Sequence, residues 1–264
     1  MSDFFITLLK TTTLQLLGVL GIFFAFGFIL SKLQEWTHNA YRRTLGWFGI
    51  IWTAWIGTPI HELSHALFAK LFGHRITNIS LFSPNEATGG LGHVEHSYNP
   101  RNIYHKLGNF FIGAAPMIAG SLVLVGLLYF LVPNGKYIFT ALPSSLSNIH
   151  SVWSSLQNTL SLLFTKENLY AWNFWLFLYI SFAIASHLAP SKQDRKGMWA
   201  GLFWIILIFF LVNAMALFLR VDVTAYILSV NKYLGIFVAV FIYATFLSLL
   251  HFLLASILLF PFRR

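Results

Sequence analysis

Apolar residues fall along this chain in long runs rather than in the one-sided stripes of a soluble helix. Runs at 14–33, 45–72, 107–132, 169–188, 198–219 and 233–260 are set apart by short polar stretches. At about 1.5 Å per residue such runs cross the ~30 Å hydrocarbon core of a bilayer. The pattern predicts an all-α membrane protein of about six transmembrane helices. It reads as one polytopic domain, 1–264, in which 14–33 is a retained anchor because no small-residue cleavage site follows it. Polar residues at 34–43 predict a loop, Gly73 a helix stop, and Pro190 the end of the 169–188 run. The Ser- and Asn-rich segment 133–168 holds a helical pattern at 149–164, suited to lying on the bundle surface.

Between the second and third runs the period changes. Residues 76–82 and 91–98 read as short strands separated by Ser-Pro-Asn-Glu-Ala-Thr-Gly-Gly, which predicts a β-hairpin or re-entrant loop after the second helix. Gly89, Gly90 and Gly92 let another backbone come close, and an open strand edge there can pair with an unwound peptide. In the third run, Gly-Ala-Ala-Pro-Met-Ile-Ala-Gly-Ser supplies small residues for close helix approach, expected towards the second helix.

Composition sharpens the picture. With 57% of its 264 residues hydrophobic and 9% charged, the chain has too little polar surface for a water-soluble globule. Aromatic residues, at 18%, suit lipid-facing surfaces and interfacial belts. The net charge of +9 would suggest nucleic acid in a soluble protein, but here the basic residues sit in short loops between apolar runs. Membrane topology accounts for them without a nucleic-acid partner. Six spans put both termini on one side, and Lys192, Arg195, Lys196, Arg263 and Arg264 bias that side towards the cytoplasm. The expected location is the cell membrane, with both termini cytoplasmic.

The second run carries the chemistry. His61-Glu62-Leu63-Ser64-His65 places two imidazoles one helical turn apart on one face, with a carboxylate beside them, where lipid would tolerate neither. Such a pair can share a metal ion, and Zn2+ is the natural occupant. With no Cys in the chain, its ligands must be His, Asp or Glu. Glu62 is then the candidate catalytic base, accepting a proton from a water that the metal acidifies. A third ligand is needed. Asp194 is preferred, with His93, Glu95 and His96 of the Gly-rich segment and His187 as the alternatives. Pro59 and Gly57, just before His61, are candidates for a kink that admits water.

Three stretches, His-Glu-Leu-Ser-His, the Gly-rich loop with the later Gly-Ala-Ala-Pro-Met, and Ser-His-Leu-Ala-Pro-Ser-Lys-Gln-Asp at 186–194, together resemble the site-2 protease family of intramembrane zinc metalloproteases. The resemblance covers about 57–197, within a protease-like core at about 45–197, and leaves 14–33, 198–219 and 233–260 as extra spans. It is that of a divergent member: the family's Asn, Pro and Asp-Gly map onto Ser186 or His187, Pro190 and Asp194, with Arg195 standing where the family has Gly. The resemblance implies zinc held by His61, His65 and Asp194, Glu62 as base, and a membrane-embedded protein or peptide received as an extra strand at Gly89, Gly90 and Gly92. Two other classes fit the same residues: a metal transporter or sensor using His93 and His96, and a proteolytically inactive scaffold.

Overall fold

The computed structural model describes residues 2–141, 149–221 and 231–262. Arg263 and Arg264 of the expected charge bias, and 142–148 of the Ser-rich segment, lie outside them. The described residues form a helical bundle with one hairpin: α1 (Ser2–Arg42), α2 (Trp47–Leu71), β1 (Arg75–Ser80), β2 (His93–Ser97) and α3 (Ile103–Leu131). There follow α4 (Gly135–Ala141), α5 (Ile149–Leu163), α6 (Lys166–Tyr170), α7 (Trp172–Ala185), α8 (Lys192–Phe218), α9 (Asn231–Leu258) and a 3-10 turn, Phe260–Phe262. Among the described residues, four helices are long and apolar enough to cross a membrane: Phe4–Arg42, Ile103–Leu131, Lys192–Phe218 and Phe237–Leu258.

The expected loop at 34–43 is instead the end of α1, which continues unbroken to Arg42. Only part of that polarity turns to protein: Gln34 accepts a hydrogen bond from the Ala189 N–H at 3.1 Å, whereas Glu35, Asn39 and Arg42 are exposed on the same unbroken helix. The expected run at 169–188 is divided at Ala171 into α6 and α7. At 14 residues α7 rises about 21 Å, less than a bilayer core. Helix α2 has the length to span but is not among the four, because its Thr, His and Glu residues dilute its apolar character.

Gly73 stops α2 as expected. Its φ of 72° turns the chain, and the His74 and Gly73 N–H groups donate to the Ala69 and Lys70 carbonyls in a Schellman arrangement. The chain then enters an antiparallel hairpin, Arg75 opposite Ser97 and Ser80 opposite His93, with a register shift between Ile76 and Asn78. Beyond Ser80, Ser83 and Asn85 pair with Leu91 and Gly90, which folds the Gly-rich turn back on itself.

Two apolar cores flank the middle of α2. One gathers Leu124, Leu128, Phe174, Phe177 and Tyr243, the other Leu20, Phe23, Phe110, Met117 and Phe241. Leu188 belongs to the first and Ala189 to the second, so the non-helical link from α7 to α8 lies where they meet. The small residues of α3 serve α8 as well as α2. A side chain at Gly113 would lie 2.5 Å from the Asp194 carbonyl oxygen, and one at Gly108 would press on Phe72. Gly201 of α8 rests in the same way against the Phe110 backbone.

Gly→Ala exchanges separate packing from propensity. At Gly21, where an added methyl meets open space, Ala is expected to stabilise by about 0.5–1 kcal/mol. At Gly201 it is expected to cost about 1–3 kcal/mol by forcing α3 and α8 apart. Melting of the purified variants in one detergent checks the opposite signs.

Candidate metal centre

Helix α2 is built inside out. Glu62 and His65 are 7% and 6% exposed, while Leu63 and Leu67 on the opposite side are 50% and 60% exposed. Polar groups turn to the bundle and large apolar ones to the periphery, as a helix in lipid requires of ionisable side chains. Small residues bring the partners close. Gly57 lies against the Ala183 carbonyl of α7 and the His187 ring just beyond it, a close packing contact for α2.

Both imidazoles are oriented by backbone carbonyls. His61 Nδ1 donates to the His187 carbonyl at 2.7 Å, and His65 Nδ1 to the Ile112 carbonyl at 2.8 Å. Each carbonyl is free for a local reason. His187 follows the end of α7 at Ala185 and is not inside a helix. Ile112 is inside α3, but the residue four places on is Pro116, which has no N–H to take its carbonyl. With Nδ1 carrying the proton, the two Nε2 atoms present lone pairs, and they face each other at 3.1 Å.

Asp194 completes the group. Its Oδ1 lies 3.2 Å from His65 Nε2 and its Oδ2 3.4 Å from His61 Nε2. The carboxylate is held by a capping box at the start of α8: the Ser191 N–H donates to Oδ2 at 2.6 Å and the Asp194 N–H to Ser191 Oγ at 3.1 Å. Two facing lone pairs beside an anion are mutually repulsive unless a proton or a metal ion lies among them. Zinc bonds of 2.0–2.2 Å at tetrahedral angles separate neighbouring ligand atoms by about 3.3 Å, and the observed separations of 3.1, 3.2 and 3.4 Å match that edge. His61, His65 and Asp194 are thus a set that can hold a metal ion.

The alternative ligands line the same cavity as these three but do not join their group among the described residues. The His93 ring meets the Asn78 side chain at 3.1 Å, Glu95 is exposed, and the His96 ring meets His74 at 2.9 Å. His187 contributes its carbonyl rather than its ring, whose Nδ1 contacts the Ala183 oxygen at 3.0 Å. A cavity of about 570 Å³ joins the three ligand residues to Glu62, to Gly89, Gly90 and Gly92 of the hairpin turn, and to His96. Gly92 sits directly over the base, since a side chain there would lie 3.0 Å from Glu62 Cγ. His38, His187 and Thr58 also line this cavity, and the His38 Nε2, His187 Nε2 and Thr58 hydroxyl atoms are buried with no hydrogen-bond partner among the described residues. Sequence reasoning missed the two carbonyls and the Ser191 cap. A Pro four residues after Ile112 was the readable signal for one of them.

Compared with known proteins, the chain matches no family model, no curated protein and no solved structure.

Pro116→Ala restores an N–H that competes with His65 for the Ile112 carbonyl. It is expected to weaken zinc binding by about 10–100-fold, the range for groups that orient metal ligands. Asp194→Ala is expected to weaken it further, and His93→Ala to leave it unchanged. Chelator competition on the purified proteins, with metal content by mass spectrometry, checks the order.

Proposed function

We propose that the protein is an intramembrane zinc metalloendopeptidase, a divergent relative of the site-2 proteases, that hydrolyses peptide bonds of membrane-embedded substrates. The observation that carries the reading is the convergence of His61 Nε2, His65 Nε2 and Asp194 to within one ligand shell, with Glu62 in the same cavity. We read α2 and the short α7 as crossings beside the four long apolar helices; six crossings put both termini on one side, and Lys192, Arg195 and Lys196 favour the cytoplasm for it.

His61, His65 and Asp194 would hold the zinc and leave a coordination position open to the cavity. When bound, zinc acidifies water and polarises a carbonyl oxygen. Glu62 takes the proton of the attacking water on its carboxylate and returns it to the nitrogen of the leaving amine. The Nδ1 bonds to the His187 and Ile112 carbonyls keep both Nε2 atoms turned towards Asp194 and the cavity. A helical substrate hides its carbonyls in its own hydrogen bonds, so it must be unwound first. The glycine turn beside Glu62 offers an extended segment backbone partners that offset this cost.

The transporter reading loses its motive, because His93 and His96 have different partners and do not form a metal group among the described residues. The deciding experiment uses Glu62→Gln in proteoliposomes containing a single-span peptide. The variant is expected to keep its zinc and to lose cleavage by at least about 100-fold, the lower range for a missing general base. Wild-type-like cleavage by zinc-loaded Glu62→Gln protein would refute the assignment of the base.

A further inference from the structure

A second group of histidines lies at the base of the hairpin, apart from the metal ligands. His74, buried immediately after the Schellman turn, stacks on Tyr98 with ring centroids 4.9 Å apart. Its Nε2 lies 2.9 Å from the His105 carbonyl oxygen and its Nδ1 lies 2.9 Å from His96 Nδ1. A carbonyl only accepts, so His74 carries its proton on Nε2 and keeps a lone pair on Nδ1. His96 must therefore donate from Nδ1, and in the neutral ring its Nε2 is left as an acceptor. The two nitrogens of an imidazole point to opposite sides of the ring. With Nδ1 committed to His74 behind the strand, Nε2 is the nitrogen available to the metal cavity that His96 lines.

The geometry points to His96 as a substrate-binding residue, whose Nε2 accepts a hydrogen bond from a backbone N–H of the peptide lying in the metal cavity. This rests on the peptidase reading above and adds to it a specific contact for the unwound chain. An extended peptide needs acceptors for its N–H groups as much as donors for its carbonyls, and a carboxylate so close to Glu62 and Asp194 would add a third negative charge. A neutral imidazole supplies the acceptor without it. The groups that face this ring support its neutrality: burial, then His74 and then His65, hold His96 down to about 4, and burial lowers His74 as well. The His105 ring beside His74 accepts the Asn99 N–H on its Nδ1 at 3.2 Å, which fixes the third imidazole of the group.

The test uses the zinc-loaded full chain in detergent and two probes: acetohydroxamate, which offers a metal-binding head alone, and an apolar tripeptide hydroxamate, which adds backbone N–H groups. His96→Asn keeps a donor where Nδ1–H was, so the bond to His74 survives, but it has no acceptor at the Nε2 position. The expected result is a loss of about three- to ten-fold in affinity for the tripeptide probe, the range of one neutral hydrogen bond, with acetohydroxamate unchanged. His96→Gln, which can place an oxygen near the Nε2 position, is expected to bind the tripeptide probe better than His96→Asn. Equal effects of His96→Asn on both probes, or on neither, would overturn the inference while leaving the metal site standing. If neither probe bound the wild type, the peptidase reading itself would fall at the metal, and the contact with it.

Discussion

Everything at this site depends on two backbone carbonyls that no helix uses. Nδ1 bonds from His61 to the His187 oxygen and from His65 to the Ile112 oxygen decide which face of each ring looks inward. An imidazole on a helix can rotate about its χ angles, and one that rotates cannot bind metal tightly. Each carbonyl is released by the sequence around it: α7 ends two residues before His187, and Pro116 removes the N–H that would have taken Ile112. Loss of one ordinary helical hydrogen bond in α3 is thereby recovered as a bond to a metal ligand. Asp194 is fixed by a device of the same kind, a capping box in which its carboxylate accepts the N–H of the capping Ser191.

Close packing then sets the distances. Glycines at 57 and 113 let α7 and α8 approach α2 and α3 where the His187 and Asp194 backbones must lie, and Gly92 lets the hairpin turn sit on Glu62. Side chains at these points would push the elements apart, and ligand geometry tolerates only a few tenths of an ångström. The cost of burying two imidazoles and a carboxylate among apolar helices is offset by their mutual contacts and by the metal ion that the group can hold. Such a set has little structural use of its own, which is why its presence inside an apolar bundle carries functional weight.

Much of this was legible in the chain, and for identifiable reasons. His61, Glu62 and His65 stood out because charge in an apolar run is costly, and the hairpin because a period of two replaced a long apolar run. Asp194 was favoured among few carboxylates, and its position in the first turn of α8 brings it to the histidines. The polar stretch that begins at Gln34 does not end its helix before Arg42, because α1 carries polar residues on both its protein-facing side, at Gln34, and its exposed side, at Glu35 and Asn39. The division at Ala171 and the shortness of α7 were hidden because an apolar composition does not show where a helix breaks. The carbonyls of His187 and Ile112 were invisible to side-chain reasoning, although Pro116 was in plain view.

The protease reading stands or falls with one zinc ion held jointly by His61, His65 and Asp194. X-ray absorption at the zinc edge of the purified, metal-loaded protein tests it most directly. Two imidazole nitrogens and a carboxylate oxygen are expected at about 2.0–2.2 Å, with the imidazole signal reduced by half in His61→Ala. A zinc shell without imidazole scattering, or one unchanged by that substitution, would contradict it.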